Sequence, residues 1–246
     1  MAVHSTQTEP LDPEEFTDVI TKEIDQFFED AGYNQMWLKK DEGEKDPEEV
    51  KASILNRLFV GYYNEIYIRD AVMDVIPIAP DVKTHQALLR QVQDEHKHAI
   101  WIIDLLNKRG YDPRSLGRTP SRGYALFWDY VFGKTQRAAN NQDPYNFLNI
   151  VATTQLVNER MFGYRATAAF AENIAPYDEE VAELYGEKIR RDEIFHVIQL
   201  PEMILKNHAT TLEAQMAVRE GVERSKIFLE VIAREMSSLQ KGTYVA

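Results

Sequence analysis

The chain contains no cysteine, which excludes disulfide bonds, thiolate zinc sites and iron–sulfur clusters held by its own residues. It also lacks long apolar runs. Stretches such as Ala99–Leu106 are broken well short of a membrane span. Met1 to Pro10 is polar and has no apolar core of a secretory leader, so a cytoplasmic protein is expected. Positive charge is scarce: 28 Lys and Arg face 40 Asp and Glu, a formal net charge of -12. That balance argues against nucleic acid or an anionic membrane as the main partner. Strand signals are weak throughout, and internal repeats and low-complexity stretches are missing.

What remains is helix after helix. The 246 residues are 44% hydrophobic, enough to bury one core. Residues 1–246 are expected to form a single all-α domain. Asp12-Pro13 opens a first helix running to about Gly32, with Phe16, Ile20, Ile24 and Phe27 or Phe28 on one stripe. Asp46-Pro47 starts a long second helix ending before Pro77, and Asp81 caps a third that runs to Gly110. A loop rich in Gly and Pro covers 110–121. An aromatic-rich fourth helix follows from Ser121, and Asp143-Pro144 opens a fifth that ends near Pro176. Asp178 opens a sixth, with a disturbance expected at Pro201. The last helix runs from about Thr211 to Leu239. Four of these helices, across about 50–205, are long enough to form a bundle.

Two of the helices carry one pattern. Asp94-Glu95-His96-Lys97-His98 and Asp192-Glu193-Ile194-Phe195-His196 both read D-E-x-x-H. Positions i and i+3 of a helix share a face, so each Glu and His can meet one metal ion. Two such motifs supply two Glu and two His. A dinuclear site needs more anionic oxygen, which a helical bundle provides as one Glu from each of two further helices. Glu65 and Glu159 fit that need, being lone acids within apolar and aromatic runs. They precede their D-E-x-x-H partners by 30 and 34 residues, the length of a helix, a turn and most of an antiparallel return. A single E-x-x-H match means little, because about 0.6 are expected by chance in such a composition. Two matches, each preceded by Asp and each led by a buried-looking Glu, are a much stronger signal. Asp94 and Asp192 could each accept the outer ring N–H of an imidazole, on their own helix or on the facing one.

This arrangement resembles the ferritin-like di-iron carboxylate proteins. It looks most like their oxygen-activating branch, which includes hydroxylase subunits of bacterial multicomponent monooxygenases, ribonucleotide reductase small subunits, acyl-carrier desaturases and phenylacetyl-CoA epoxidase. The resemblance implies a ferritin-like four-helix bundle with additional helices. It implies one iron on Glu65, Glu95 and His98 and another on Glu159, Glu193 and His196. Glu95 and Glu193 would bridge, and Asp94 and Asp192 would hold the imidazoles. It further implies O2 as co-substrate and a small organic or acyl substrate that is hydroxylated, epoxidised or dehydrogenated. A Mn/Fe pair fits the same ligands. A homodimer and an external ferredoxin or reductase are the expected partners. Lys97 and Phe195 stand where many members carry Arg, and Ile102 and Gly163 stand where some carry Tyr and Thr. Helical offsets place Gly61, Tyr62, Ile68, Ile102, Gln155, Phe162, Gly163, Ile189 and Leu200 as candidates for a substrate pocket. An iron- or peroxide-handling protein and a metal-free structural subunit are the competing functions.

Overall fold

The structure is a computed structural model describing residues 8–31, 46–117, 119, 122–141 and 144–239. Among them the secondary structure is helical, without strands. The fold is an all-α bundle.

Four helix starts obey the same chemistry. A helix leaves its first N–H groups unpaired, and an Asp side chain just before it accepts them. Asp12 accepts from Glu14 and Glu15 at the head of α1 (Pro13–Asp30), and Asp46 accepts from Glu48 at the head of α2 (Pro47–Val75). Asp81 caps α3 (Val82–Lys108) through the Thr84 amide at 2.8 Å. Pro sits in the first turn of α1 and α2, where its missing N–H costs nothing. Gly110 ends α3 with φ of 82°, a left-handed turn that lets the Tyr111 amide reach back to the Leu106 carbonyl. α4 (Arg122–Asn141) follows the loop, while Ser121, its expected start, lies outside the described residues.

α5 spans 144–174 and α6 spans 179–208. Asp178 caps α6 through Val181, whereas Asp143 lies outside the described residues. Neither helix is uniform. α5 widens to π geometry over Ala152–Arg165, and α6 does so over Leu184–Ile189 and again over Phe195–Gln199. The disturbance expected at Pro201 therefore lies just before that residue, and a second one lies more than two turns upstream. A π turn inserts extra backbone and turns the following side chains about the axis. α7 (Leu212–Leu239) closes the fold against α5 and α4.

Packing joins α2 to α3 and α5 to α6, with α1 laid over α5 and the end of α6. The α1 stripe is Phe16, Ile20, Ile24 and Phe28, all essentially inaccessible, with Phe27 at its edge. The apolar interior divides into two clusters. One contains Ile68, Leu88, Leu156 and Leu200; the other contains Leu58, Tyr62, Ile102 and Ile189. Along α3 the buried stripe reads Leu88, Gln91, Glu95, His98, Ile102 and Leu106. Three polar residues thus occupy a seam that spacing alone would fill with hydrocarbon. No helix among the described residues is long and apolar enough to cross a membrane.

Candidate metal centre

Those polar residues meet others from three more helices. Glu65 comes from α2, Glu95 and His98 from α3, Glu159 from the π segment of α5, and Glu193 and His196 from α6. All six are buried, Glu65 being the most exposed at 7%. Ligating atoms of Glu65, Glu95, His98 and Glu193 lie within 4.8 Å of one another, as do those of Glu95, Glu159 and His196. This buried Glu/His cluster can hold a metal ion.

The inner contacts run through the same ring nitrogen of both histidines. His98 Nδ1 lies 3.2 Å from Glu65, 3.5 Å from Glu95 Oε2 and 3.6 Å from Glu193 Oε1. His196 Nδ1 lies 3.1 Å from Glu95 Oε1 and 3.5 Å from Glu193 Oε2. Glu95 and Glu193 therefore each present one oxygen to each imidazole. Both histidines turn Nε2 outward, and the outer contacts cross between helices. His98 Nε2 is 3.3 Å from Asp192, and His196 Nε2 is 3.4 Å from Asp94. Of the two placements open to the aspartates, the fold adopts the facing helix. An N–H donated outward fixes the tautomer and leaves Nδ1 free to bind inward.

Lys97 joins the two aspartates. Its Nζ is 2.7 Å from Asp94 and 2.7 Å from Asp192, and it lies over Trp101, whose ring stacks on His98. At the corresponding place on α6, Phe195 is covered by the Arg90 guanidinium at 3.8 Å, and Arg90 is also 3.8 Å from Asp94. A third connection enters from α5. Thr154 donates to Gln155, Gln155 donates to Gln91 at 2.9 Å, and Gln91 donates to Glu95 at 3.1 Å. Gln91 was legible as a polar residue one turn before Glu95 on a buried stripe. Thr154 carried no such signal.

Without metal, protons compensate the charge of the buried carboxylates. Burial pushes Glu65 up to about 8, against the hydrogen bond from His98. Burial, then Glu193 and Glu95, pushes Glu159 well above the carboxylate range. For Glu95 burial acts upward too, but the nearby charges of His196 and His98 hold it well below. Burial lowers both histidines, yet Asp192 and Glu65 hold His98 well above its ordinary value, and Glu95 and Glu193 do the same for His196. The His98 hydrogen bond lowers Asp192. Protons thus take the place of cations among these groups.

Several inner atoms still lack a hydrogen-bond partner: Glu95 Oε2, Glu159 Oε1, Glu193 Oε2 and His196 Nδ1. Buried polar atoms without a partner are costly and rare. These four converge from three helices, and their close contacts to neighbouring ligands are not aligned as hydrogen bonds. Oxygen and imidazole donors in that arrangement fit hard or borderline divalent ions. Gly163 belongs to the same arrangement. A Cβ there would stand 2.5 Å from Glu159 Oε2 and from Glu193 Oε2. The missing side chain accommodates the carboxylates themselves.

The apolar residues expected to line a substrate pocket are divided between the two clusters. Tyr62, Ile102 and Ile189 belong to one apolar cluster, Ile68 and Leu200 to the other. Gln155 is engaged in the chain to Glu95, and the space at Gly61 is taken by the Tyr185 hydroxyl. The Phe162 side chain lies outside the described residues. A cavity between Pro80, Phe147, Leu148 and His208, where the turns between helices meet, contains none of the expected pocket residues. No family model, curated protein or solved structure matches the chain.

Proposed function

We propose that the chain is a non-haem di-iron oxidoreductase that uses O2 to oxidise a small organic or acyl substrate. The observation that carries the reading is the convergence of four buried carboxylates and two imidazoles with four orphaned donor atoms between them. Two divalent ions would neutralise the four buried carboxylates, two of which, Glu65 and Glu159, burial otherwise pushes toward the protonated form. The resemblance of the paired D-E-x-x-H motifs to the ferritin-like di-iron carboxylate proteins selects iron and O2 from the metals this ligand set admits.

Glu65 with His98 would hold one ion, Glu159 with His196 the other, and Glu95 and Glu193 would span both. When bound, the iron pair would supply the transfer of electrons from substrate or an external donor to O2. The rest is the work of the chain. Asp94 and Asp192 take the outer N–H of the opposite imidazole and keep Nδ1 directed inward. Lys97 offsets their charge and ties α3 to α6. Gln91 holds one oxygen of Glu95 through its amide N–H. The apolar clusters on both sides exclude bulk water, which strengthens every charge interaction inside. The cysteine-free chain would take external electrons from a ferredoxin or reductase.

Anaerobic loading with Fe(II), metal analysis and absorbance after O2 exposure test the proposal. About two iron ions per chain and an O2-dependent ultraviolet band are expected for such a bundle site. Near-zero iron would favour a structural subunit, and uptake far above two would favour iron storage.

A further inference from the structure

Tyr185 carries a buried hydroxyl with no hydrogen-bond partner. The residue is 1% exposed and lies in the first π segment of α6, two turns before Glu193. Its ring has little freedom. Phe170 meets it edge-on at 5.3 Å and 87°, and the Arg57 guanidinium lies over it at 5.3 Å. The hydroxyl is thereby directed at Gly61 on α2, where a Cβ would stand only 2.5 Å from the oxygen. Gly61 is one helical turn before Glu65 and on the same face. The absent side chain therefore lets a phenol approach the Glu65 side of the centre. A phenol O–H left without an acceptor in an apolar cluster is unfavourable unless something else supplies the acceptor.

We propose that Tyr185 is a ligand-binding residue of the centre: its hydroxyl donates a hydrogen bond to a small acceptor molecule bound on the Glu65 side, and Gly61 admits it there. The inference rests on the metal centre proposed above. The ligand class is a small oxygen- or nitrogen-donor species such as water, a triatomic anion or an oxygen of the substrate. Tyr62, one turn before Glu65 on the same helix, does not compete for the role, because its hydroxyl is not among the buried unpartnered atoms and it feels the charges of Arg114 and Arg69. Sequence reading missed Tyr185 because it belongs to neither motif and its approach to Gly61 is a contact distant in sequence.

Azide is a suitable probe, and Co(II) reports its binding through visible absorption without redox chemistry. Wild-type, Tyr185→Phe and Gly61→Ala proteins are loaded with Co(II) and titrated with azide. Tyr185→Phe should retain the wild-type Co(II) content and bind azide about tenfold more weakly, the size of one lost hydrogen bond. Gly61→Ala, which crowds the hydroxyl out of its place, should weaken azide similarly. Equal azide affinity in wild type and Tyr185→Phe overturns the proposal and leaves the metal centre standing. Loss of Co(II) from Tyr185→Phe also overturns it, assigning the residue to the scaffold. A wild-type chain that takes up no Co(II) overturns both readings.

Discussion

The two halves of the centre carry the same motif on different backbones. Glu65, Glu95 and His98 stand on regular α-helices, and their contacts are largely satisfied: His98 meets Glu65 at 3.2 Å and Gln91 holds Glu95 at 3.1 Å. In the other half Glu159 lies inside a π segment and His196 inside another, while Glu193 sits on the short α stretch Arg190–Ile194 just before the latter. Three of the four orphaned inner atoms belong to this second half. One sequence pattern thus yields a half that is internally paired and a half that is left open. Widened helical turns recur at functional sites because they re-aim side chains that a regular helix would direct elsewhere. The second half is accordingly the one that a bound cation would satisfy most.

That difference can be broken most severely at Glu95, the residue common to both ligand groups. Glu95→Ala should reduce bound iron from about two per chain to near zero, since removing a carboxylate that serves both ions also leaves buried partners unpaired. Glu65→Ala and Glu159→Ala should each spare the opposite ion. Metal analysis of all three variants would contradict this account if Glu95→Ala kept one full equivalent.

The two glycines sharpen the comparison next. Gly163→Ala drives a methyl group into two ligand carboxylates and should weaken metal binding by roughly 10- to 100-fold, the cost of loosening ligands beyond a fraction of an ångström. Gly61→Ala meets a tyrosine hydroxyl instead and should leave metal content intact. Competition with a chelator of known affinity measures both. Equal loss in the two variants would remove the distinction between the halves.

Proton linkage gives a third test. Glu65 is raised to about 8 and Glu159 is raised as well. For each, the stability contribution is full below the ordinary carboxylate value and is lost as pH rises through the folded value, at up to ~1.4 kcal/mol per pH unit. His98 and His196 are also raised, so their contribution is likewise full below about 6.5 and lost at higher pH. Asp94, Asp192 and Glu95 are lowered, and their contribution fails only in acid. The metal-free protein should therefore lose stability from about pH 5 to 8. Loaded protein should not, because its ligands are already deprotonated. The metal-induced gain in Tm should widen across that range in thermal melts with and without metal. A gap independent of pH would contradict the electrostatic picture.

Lys97 offers the smallest effect. Lys97→Met leaves Asp94 and Asp192 to repel each other and should lower metal affinity about tenfold in either half, while Lys97→Arg should retain most of it. Isothermal titration with Co(II) reads the change. Unchanged affinity in Lys97→Met would show that the aspartates hold the imidazoles unaided.

Much of this arrangement was legible before any coordinates. Asp12, Asp46, Asp81 and Asp178 announce helix starts because their carboxylates pair with orphan amides nearby in sequence. Glu65 and Glu159 stand out because an acid inside an apolar run has no solvent to face. What stayed hidden depends on contacts distant in sequence. The crossing of Asp94 to His196 and of Asp192 to His98 is set by how α3 and α6 face each other. Of the three π segments, Pro201 pointed near the one at Phe195–Gln199, and no residue pattern pointed to those at Ala152–Arg165 and Leu184–Ile189. The apolar residues expected at the pocket are divided between the two clusters. Offsets counted on a regular helix put Ile68 and Ile102 beside the ligands, but their stripes lead into different clusters.

The proposed pair of metal ions would sit side by side between these halves. X-ray absorption at the iron edge of anaerobically loaded protein tests it most directly. The account predicts nitrogen and oxygen neighbours only, with a second iron at about 3.5 Å, the spacing typical of paired-metal sites. A spectrum of isolated iron with no metal neighbour, in protein loaded to two equivalents, would contradict it.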